Sequence, residues 1–232
     1  MFDLVPPVGS TYAADIDNVI VLVAIIVGFW FFATVGMFFW LMWRFRHKEG
    51  QKAQYVTGEE PVLVRWVSWP HVLIIICDVL IIVAAVMVWI DVKQTLPEHA
   101  RDVRVIAQQW AWTFVQPGPD GQLDTADDIT TIDELHVEVN QPYRYHLSAT
   151  DVLHSFSVPV FRLKQDAVPG RVITGWFEPI ITGQFDIQCV EICGIGHGMM
   201  GGRIHLETPE QHAAWMAEHR PATQVAAATR TP

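Results

Sequence analysis

The chain has 232 residues, 51% of them hydrophobic, and a formal net charge of −10. That acidic balance argues against a nucleic-acid partner, and the length allows one or two domains. The composition is divided: roughly the first ninety residues hold long apolar stretches, and the remainder has the mixed, turn-rich make-up of a water-soluble domain.

The N-terminal segment, 1–17, carries no Lys or Arg. From Val19 to Trp43 no residue is charged, long enough to cross the ~30 Å hydrocarbon core of a bilayer. A second apolar stretch runs from Leu73 to Ile90 and is broken once, by Asp78. Segment 18–95 is therefore expected to form a transmembrane helical hairpin. The loop between the spans holds Arg44, Arg46, Lys48, Lys52 and Arg65 against Glu49, Glu59 and Glu60. The positive-inside rule makes that loop cytoplasmic and sets both termini outside a bacterial-type cell membrane. The first apolar run is too long for a cleavable signal and lacks a basic start, so it is expected to act as its own anchor. A carboxylate such as Asp78 is expensive inside a span and implies a polar partner: a neighbouring subunit is favoured over a proton path.

Residues Asp91–Ala100 read as a stalk leading into a domain expected over 96–219. Short apolar runs with turn signals between them follow: Val103–Val115, Ile129–Val139, Tyr143–Ala149, Val152–Val160, Arg171–Phe177, Gln184–Val190 and Arg203–Leu206. Their spacing predicts an antiparallel sandwich or barrel. Thr208-Pro209-Glu210 predicts a helix start with Thr as N-cap and Pro in the first turn, the helix ending near His219. The Ala/Thr-rich tail, 220–232, is expected to be mobile. The acidic loop over 120–128 (Asp120, Asp124, Asp127, Asp128) has enough carboxylates for Ca²⁺ but not the EF-hand spacing, and reads better as a solvated turn. From Asp91 onward 18 acidic residues stand against 10 basic ones, which suits either solubility or a basic partner.

The chemistry concentrates in Cys189-Val190-Glu191-Ile192-Cys193-Gly194-Ile195-Gly196-His197-Gly198-Met199-Met200. Two thiols, an imidazole and a thioether fall within twelve residues, with glycines that let the backbone wrap tightly. In an oxidising compartment two cysteines default to a disulfide. Soft sulfur donors with imidazole instead select copper or zinc, and Met, a poor zinc ligand, points to copper used for electron transfer. His154, in Thr150-Asp151-Val152-Leu153-His154-Ser155-Phe156, is a further imidazole, although alone it would pass for an ordinary core histidine. No Cys-x-x-Cys-His motif is present, so no covalently attached haem is expected.

These stretches resemble the second subunit of cytochrome c oxidase. The likeness rests on Asp151–Phe156, on Lys164-Gln165-Asp166-Ala167-Val168-Pro169-Gly170-Arg171, on the Cys-x-Glu-x-Cys-Gly-x-x-His-x-x-Met run, on Gln109-Trp110-Ala111-Trp112 and on the helical hairpin. The resemblance implies a cupredoxin-like Greek-key β-barrel carrying a binuclear copper centre, CuA. In it Cys189 and Cys193 would bridge the coppers, with His154 and His197 as terminal ligands. Met200 and the Glu191 carbonyl would be weak axial ligands, and the Glu191 side chain would face a Mg²⁺ shared with the catalytic subunit. Trp110 would receive electrons from cytochrome c or a similar basic donor steered by acidic residues around Asp151 and over 120–134, while Trp112 reads as core. The implied partners are the haem–copper catalytic subunit I, subunit III and membrane lipid.

Some positions depart from the family. A Glu common before the second span falls here at Leu63, with Glu59 and Glu60 out of register, which leaves proton uptake through this chain in doubt. Ile187 and Gly201-Gly202 stand where Gly and Pro-Ile are usual. Rival readings are a CuA-bearing subunit of a haem–copper nitric oxide reductase, a metal-free quinol oxidase subunit and a disulfide-bearing structural domain. The intact sulfur and imidazole set opposes the last two, and the two spans disfavour a soluble nitrous oxide reductase.

Overall fold

The computed structural model describes residues 5–52 and 57–219; the tail expected to be mobile, 220–232, lies outside the described residues. The chain divides into two units: Asp15–Trp89, and the N-terminal segment up to Ala14 together with the chain from Ile90 onward.

The first unit consists of two helices, each long and apolar enough to cross a membrane. Helix α1 (Ala13–Arg44) starts six residues ahead of the charge-free run, with Asp15 in its first turn and Arg44 in its last. Both charges sit at the end where the helix dipole favours them. Helix α2 (Pro61–Trp89) keeps Pro70 inside it and runs into a π-helical turn, Ile90–Gln94. Asp78 lines a groove with Trp30 and Thr34 of α1 and with Cys77 of its own helix.

The second unit contains ten strands: β1 (Arg101–Gln108), β2 (Ala111–Gln116), β3 (Ile129–Ile132), β4 (Glu134–Glu138), β5 (Tyr143–Ala149), β6 (His154–Val158), β7 (Leu163–Ala167), β8 (Ile173–Phe177), β9 (Gly183–Cys189) and β10 (Gly201–Glu207). They form two five-stranded sheets, ordered β3-β2-β1-β5-β8 and β4-β10-β9-β6-β7. The all-β expectation holds, but the pairing is mixed: β1–β5 and β4–β10 are parallel. Parallel neighbours need a long crossover. Between β1 and β5 the chain supplies it by passing through β2 and β3 and then into β4 of the other sheet.

Two runs that read as continuous strands are broken for local reasons. Val103–Val115 turns at Gln109-Trp110, making the β1–β2 hairpin. Ile129–Val139 breaks at Asp133, which takes a left-handed conformation, one that Asp tolerates better than most residues. The Asp133 carboxylate accepts the Trp112 backbone N–H at 2.7 Å, which fixes the point where the chain leaves one sheet for the other.

Alternating burial along β1, β2 and β5 directs Val103, Val105, Trp112, Phe114, Tyr145 and Leu147 inward. Phe156 of β6 lies among them, edge-on to Trp112 at 5.3 Å between ring centroids. The N-terminal segment belongs to this unit. The Ser10 hydroxyl donates to the Phe161 carbonyl, and buried Tyr12 packs edge-on to Trp176 and donates to its carbonyl. The predicted terminal helix is present as α3 (Pro209–Glu218), capped reciprocally by Thr208 and Gln211.

Candidate metal centre

Strand β9 ends at Cys189 and β10 begins at Gly201, so the sulfur-rich run is the loop between two paired strands. Its neck is closed by the Gly201–Gln188 register and by the Cys189 N–H donating to the Met200 carbonyl at 3.1 Å. One ligand candidate stands on each side of the neck. A short 3-10 turn, His197–Met199, brings His197 back over Cys193. His154 opens β6, and Phe156, two residues on, pairs with Cys189 across the β6–β9 register. The loop and His154 thereby meet at one end of the second sheet.

There the donor atoms converge. The two Sγ atoms are 3.8 Å apart, and both cysteines are free; a disulfide needs about 2.05 Å. Cys193 Sγ lies 3.6 Å from His197 Nδ1 and 3.8 Å from Met200 Sδ. Cys189 Sγ lies 3.9 Å from His154 Nδ1 and 3.3 Å from the Glu191 carbonyl oxygen. His154 Nδ1 is 3.2 Å from Met200 Sδ. His154, Cys189, Cys193 and Met200 are all buried. Burial, then the neighbouring Cys189, pushes the Cys193 thiol up to about 11.

This donor set fits copper: two thiols, a thioether and two imidazoles, with no hard carboxylate among the converging atoms. An ion that takes these sulfurs must displace protons, and a soft cation does so most readily.

Asp151 organises the site, a role the reading of the sequence did not give it. Its Oδ1 lies 2.8 Å from His154 Nε2 and accepts the Val152 N–H, while Oδ2 accepts the Gln109 N–H. Burial would raise this carboxyl, but the hydrogen bonds from His154, Gln109 and Val152 outweigh it and hold it below the usual range. The carboxylate thus serves three internal donors while remaining on the exposed surface. Asp three residues before His was the available signal, since a carboxylate commonly takes the outer N–H of a ligating imidazole.

Trp110 stands 42% exposed at the β1–β2 turn, whereas Trp112 is fully buried in the core. The Trp110 indole N–H points to the Cys193 carbonyl at 3.3 Å, and the Gln109 amide donates to the same oxygen at 2.7 Å. The indole lies so close over the loop that a Cβ at Gly196 would fall 2.3 Å from it, and Gly194 takes φ +120° beneath Gln109. Both positions require glycine. Around the loop Ile192, Ile195 and Met199 are exposed, an apolar rim of the kind that marks an interaction surface.

The acidic loop turns its carboxylates on itself. Asp127 accepts the Asp120 N–H, Asp128 accepts the Asp124 N–H, and Asp124 is held by the Arg104 guanidinium. Asp127 is buried in this turn, and Asp124 and Asp128 hold it from the outside.

Comparison with known proteins gives a consistent result. Residues 119–206 match the family model for the periplasmic domain of cytochrome c oxidase subunit II. The chain is 33% identical over 227 residues to the alternative cytochrome c oxidase subunit 2 of Bradyrhizobium diazoefficiens, covering 88% of this chain and 80% of that protein. It is 28% identical to cytochrome c oxidase subunit 2 of Cereibacter sphaeroides, covering 87% and 75%. Among solved structures, the periplasmic domain of subunit II of the Bradyrhizobium japonicum cytochrome oxidase matches with a TM-score of 0.48 and 28% identity, over 54% of this chain and 96% of that one.

Proposed function

The chain belongs to the cytochrome c oxidase subunit II family, a component of an oxidoreductase complex, and on that footing we propose that it is the electron-entry subunit of a haem–copper terminal oxidase. The observation that carries this reading is the unjoined pair of sulfurs 3.8 Å apart, ringed by His154, His197 and Met200.

Cys189 and Cys193 would hold two copper ions between them, with His154, His197, Met200 and the Glu191 carbonyl completing the set. When bound, the copper pair supplies a one-electron store of low reorganisation. The residues of the chain do the rest. Asp151 keeps the His154 ring oriented with Nδ1 toward the sulfurs. The neck between β9 and β10 and the buried walls exclude water. Trp110, exposed on one side and hydrogen-bonded to the Cys193 carbonyl on the other, offers a short route from a docked donor to the loop. The apolar rim of Ile192, Ile195 and Met199 suits a surface that docks a partner.

In this reading the β-domain and both termini lie outside the membrane, the donor is cytochrome c, and the acceptor is haem in subunit I, with subunit III in the same complex. The Glu191 side chain would reach a Mg²⁺ shared with subunit I. Leu63, in the first turn of α2 where a carboxylate would serve proton uptake, favours one second reading: the same module serving a haem–copper nitric oxide reductase.

Metal analysis of the purified protein tests the site: two coppers per chain are expected, and Cys189→Ser should abolish the mixed-valence signal. One copper, or one zinc, per chain would refute the assignment. Oxygen and nitric oxide consumption by the isolated complex separates the two acceptor readings.

A further inference from the structure

Away from the sulfur cluster, β4 and β10 bring together a second set of metal-binding atoms. Their parallel register sets His136 beside His205 and Glu134 beside Arg203. Ligand atoms of Glu134, His136 and His205 lie within 4.8 Å of one another. Buried His136 is clamped between two parallel rings, His205 at 4.1 Å and Trp215 of α3 at 4.3 Å.

The hydrogen bonding around this set is that of an oriented ligand. His136 Nδ1 lies 2.6 Å from Glu207 Oε1, so the carboxylate takes the Nδ1 proton and leaves Nε2 with an open lone pair. Such a carboxylate–histidine pair is what fixes the tautomer of a metal-bound imidazole. The open nitrogen is 4.0 Å from the Glu134 carboxylate. That is too long for a hydrogen bond and about half an ångström more than the ~3.4 Å between two tetrahedral zinc ligands, a gap that a small inward shift of the exposed Glu134 side chain closes. His205 Nε2 is buried without a hydrogen-bond partner among the described residues. Arg203, the cation nearest Glu134 in register, is ion-paired with Asp186 instead.

We propose that Glu134, His136 and His205 form a second cation site, taking a borderline divalent transition ion such as Zn²⁺ with water in the fourth position. Two imidazoles and a carboxylate without sulfur suit zinc and leave the soft copper ions to the cysteine loop. Solvent reaches the flanks of the set, though its imidazole nitrogens are covered. The Glu134 side chain is largely exposed, and His205 lines a solvent-facing cavity of about 460 Å³ with Glu207 and Gln211. The two histidine rings lie parallel, so closing on one ion requires the less buried His205 to tilt out of the stack. A bound ion would tie β4 to β10 directly beneath the face on which α3 rests.

The test uses the full-length protein already loaded with copper, so that the cysteines are occupied, titrated with Zn²⁺ and examined at the zinc K-edge. One zinc per chain is expected, with only nitrogen and oxygen neighbours at about 2.0–2.1 Å. Glu134→Gln and His205→Asn should each weaken zinc binding by about tenfold or more with copper content unchanged. Glu134→Gln, at an exposed position, keeps the test independent of folding. Failure of copper-loaded protein to retain zinc, sulfur in the zinc shell, or unchanged affinity in either variant would overturn the site. Copper content is read in the same samples, so a failure of the sulfur-centred reading registers separately.

Discussion

The Asp151 carboxylate and His154 Nε2 lie 2.8 Å apart, and this contact decides which ring nitrogen faces the sulfurs. With Nε2 donating outward, Nδ1 is left as an acceptor among Cys189 and Met200. Replacing Asp151 with Ala should leave the β-domain folded while loosening the ring. Loss of such an outer carboxylate typically costs about 10–100-fold in metal affinity. A competition titration with a copper chelator reads the affinity, and the absorption spectrum of the loaded protein reads the altered ligand field. Unchanged affinity and spectrum would remove Asp151 from its positioning role.

Gly196 lies directly beneath the Trp110 indole. A methyl group there would fall 2.3 Å from the ring, whereas at Gly198 it would meet nothing within 4 Å. Gly196→Ala should therefore displace Trp110 and slow reduction by the electron donor while copper content holds. Overpacking at such a contact costs about 1–3 kcal/mol of stability. Gly198→Ala is the control and should match the parent protein in stopped-flow reduction.

Phe156 joins the core to the site. It touches Trp112 and Phe114 inside the β-domain and pairs with Cys189 across the strands. Phe156→Ala should destabilise the domain by about 3–5 kcal/mol and reduce copper retention, because β6 also carries His154. Phe156→Leu, which keeps most of the volume, should lose less of both. Denaturant unfolding and metal analysis on the same samples check this.

The acidic loop should loosen in acid before the domain does. The hydrogen-bonded Arg104 guanidinium holds Asp124 below its ordinary 3.8. A carboxyl depressed on folding contributes stability above its unfolded pKa and loses it as pH falls through the lower folded value. Amide exchange in the loop over 118–128 should therefore accelerate, relative to the intrinsic rate, as pH drops below 3.8. Arg104→Gln should abolish that pH dependence. Because the Asp124 side chain is 71% exposed, the effect should be local and screened by salt.

Covalent order alone determined much of this protein. One apolar run free of charge and a second broken only by Asp78 specify two helices long and apolar enough to span a bilayer, whose core tolerates little else. Thr208-Pro209 specifies a helix start because capping is a contact between near neighbours. The donor run Cys189–Met200 reads as a copper loop because its ligand types sit within twelve residues of one another. What lay beyond local reading depended on contacts between distant segments. The parallel pairs β1–β5 and β4–β10, the packing of Tyr12 on Trp176, and the stacking of His136 between His205 and Trp215 join residues far apart in the chain. No periodicity encodes such pairings. Asp151 shows the same division: its position was plain, but only the folded chain brings Gln109, Val152 and the His154 imidazole within hydrogen-bonding reach of its one carboxylate.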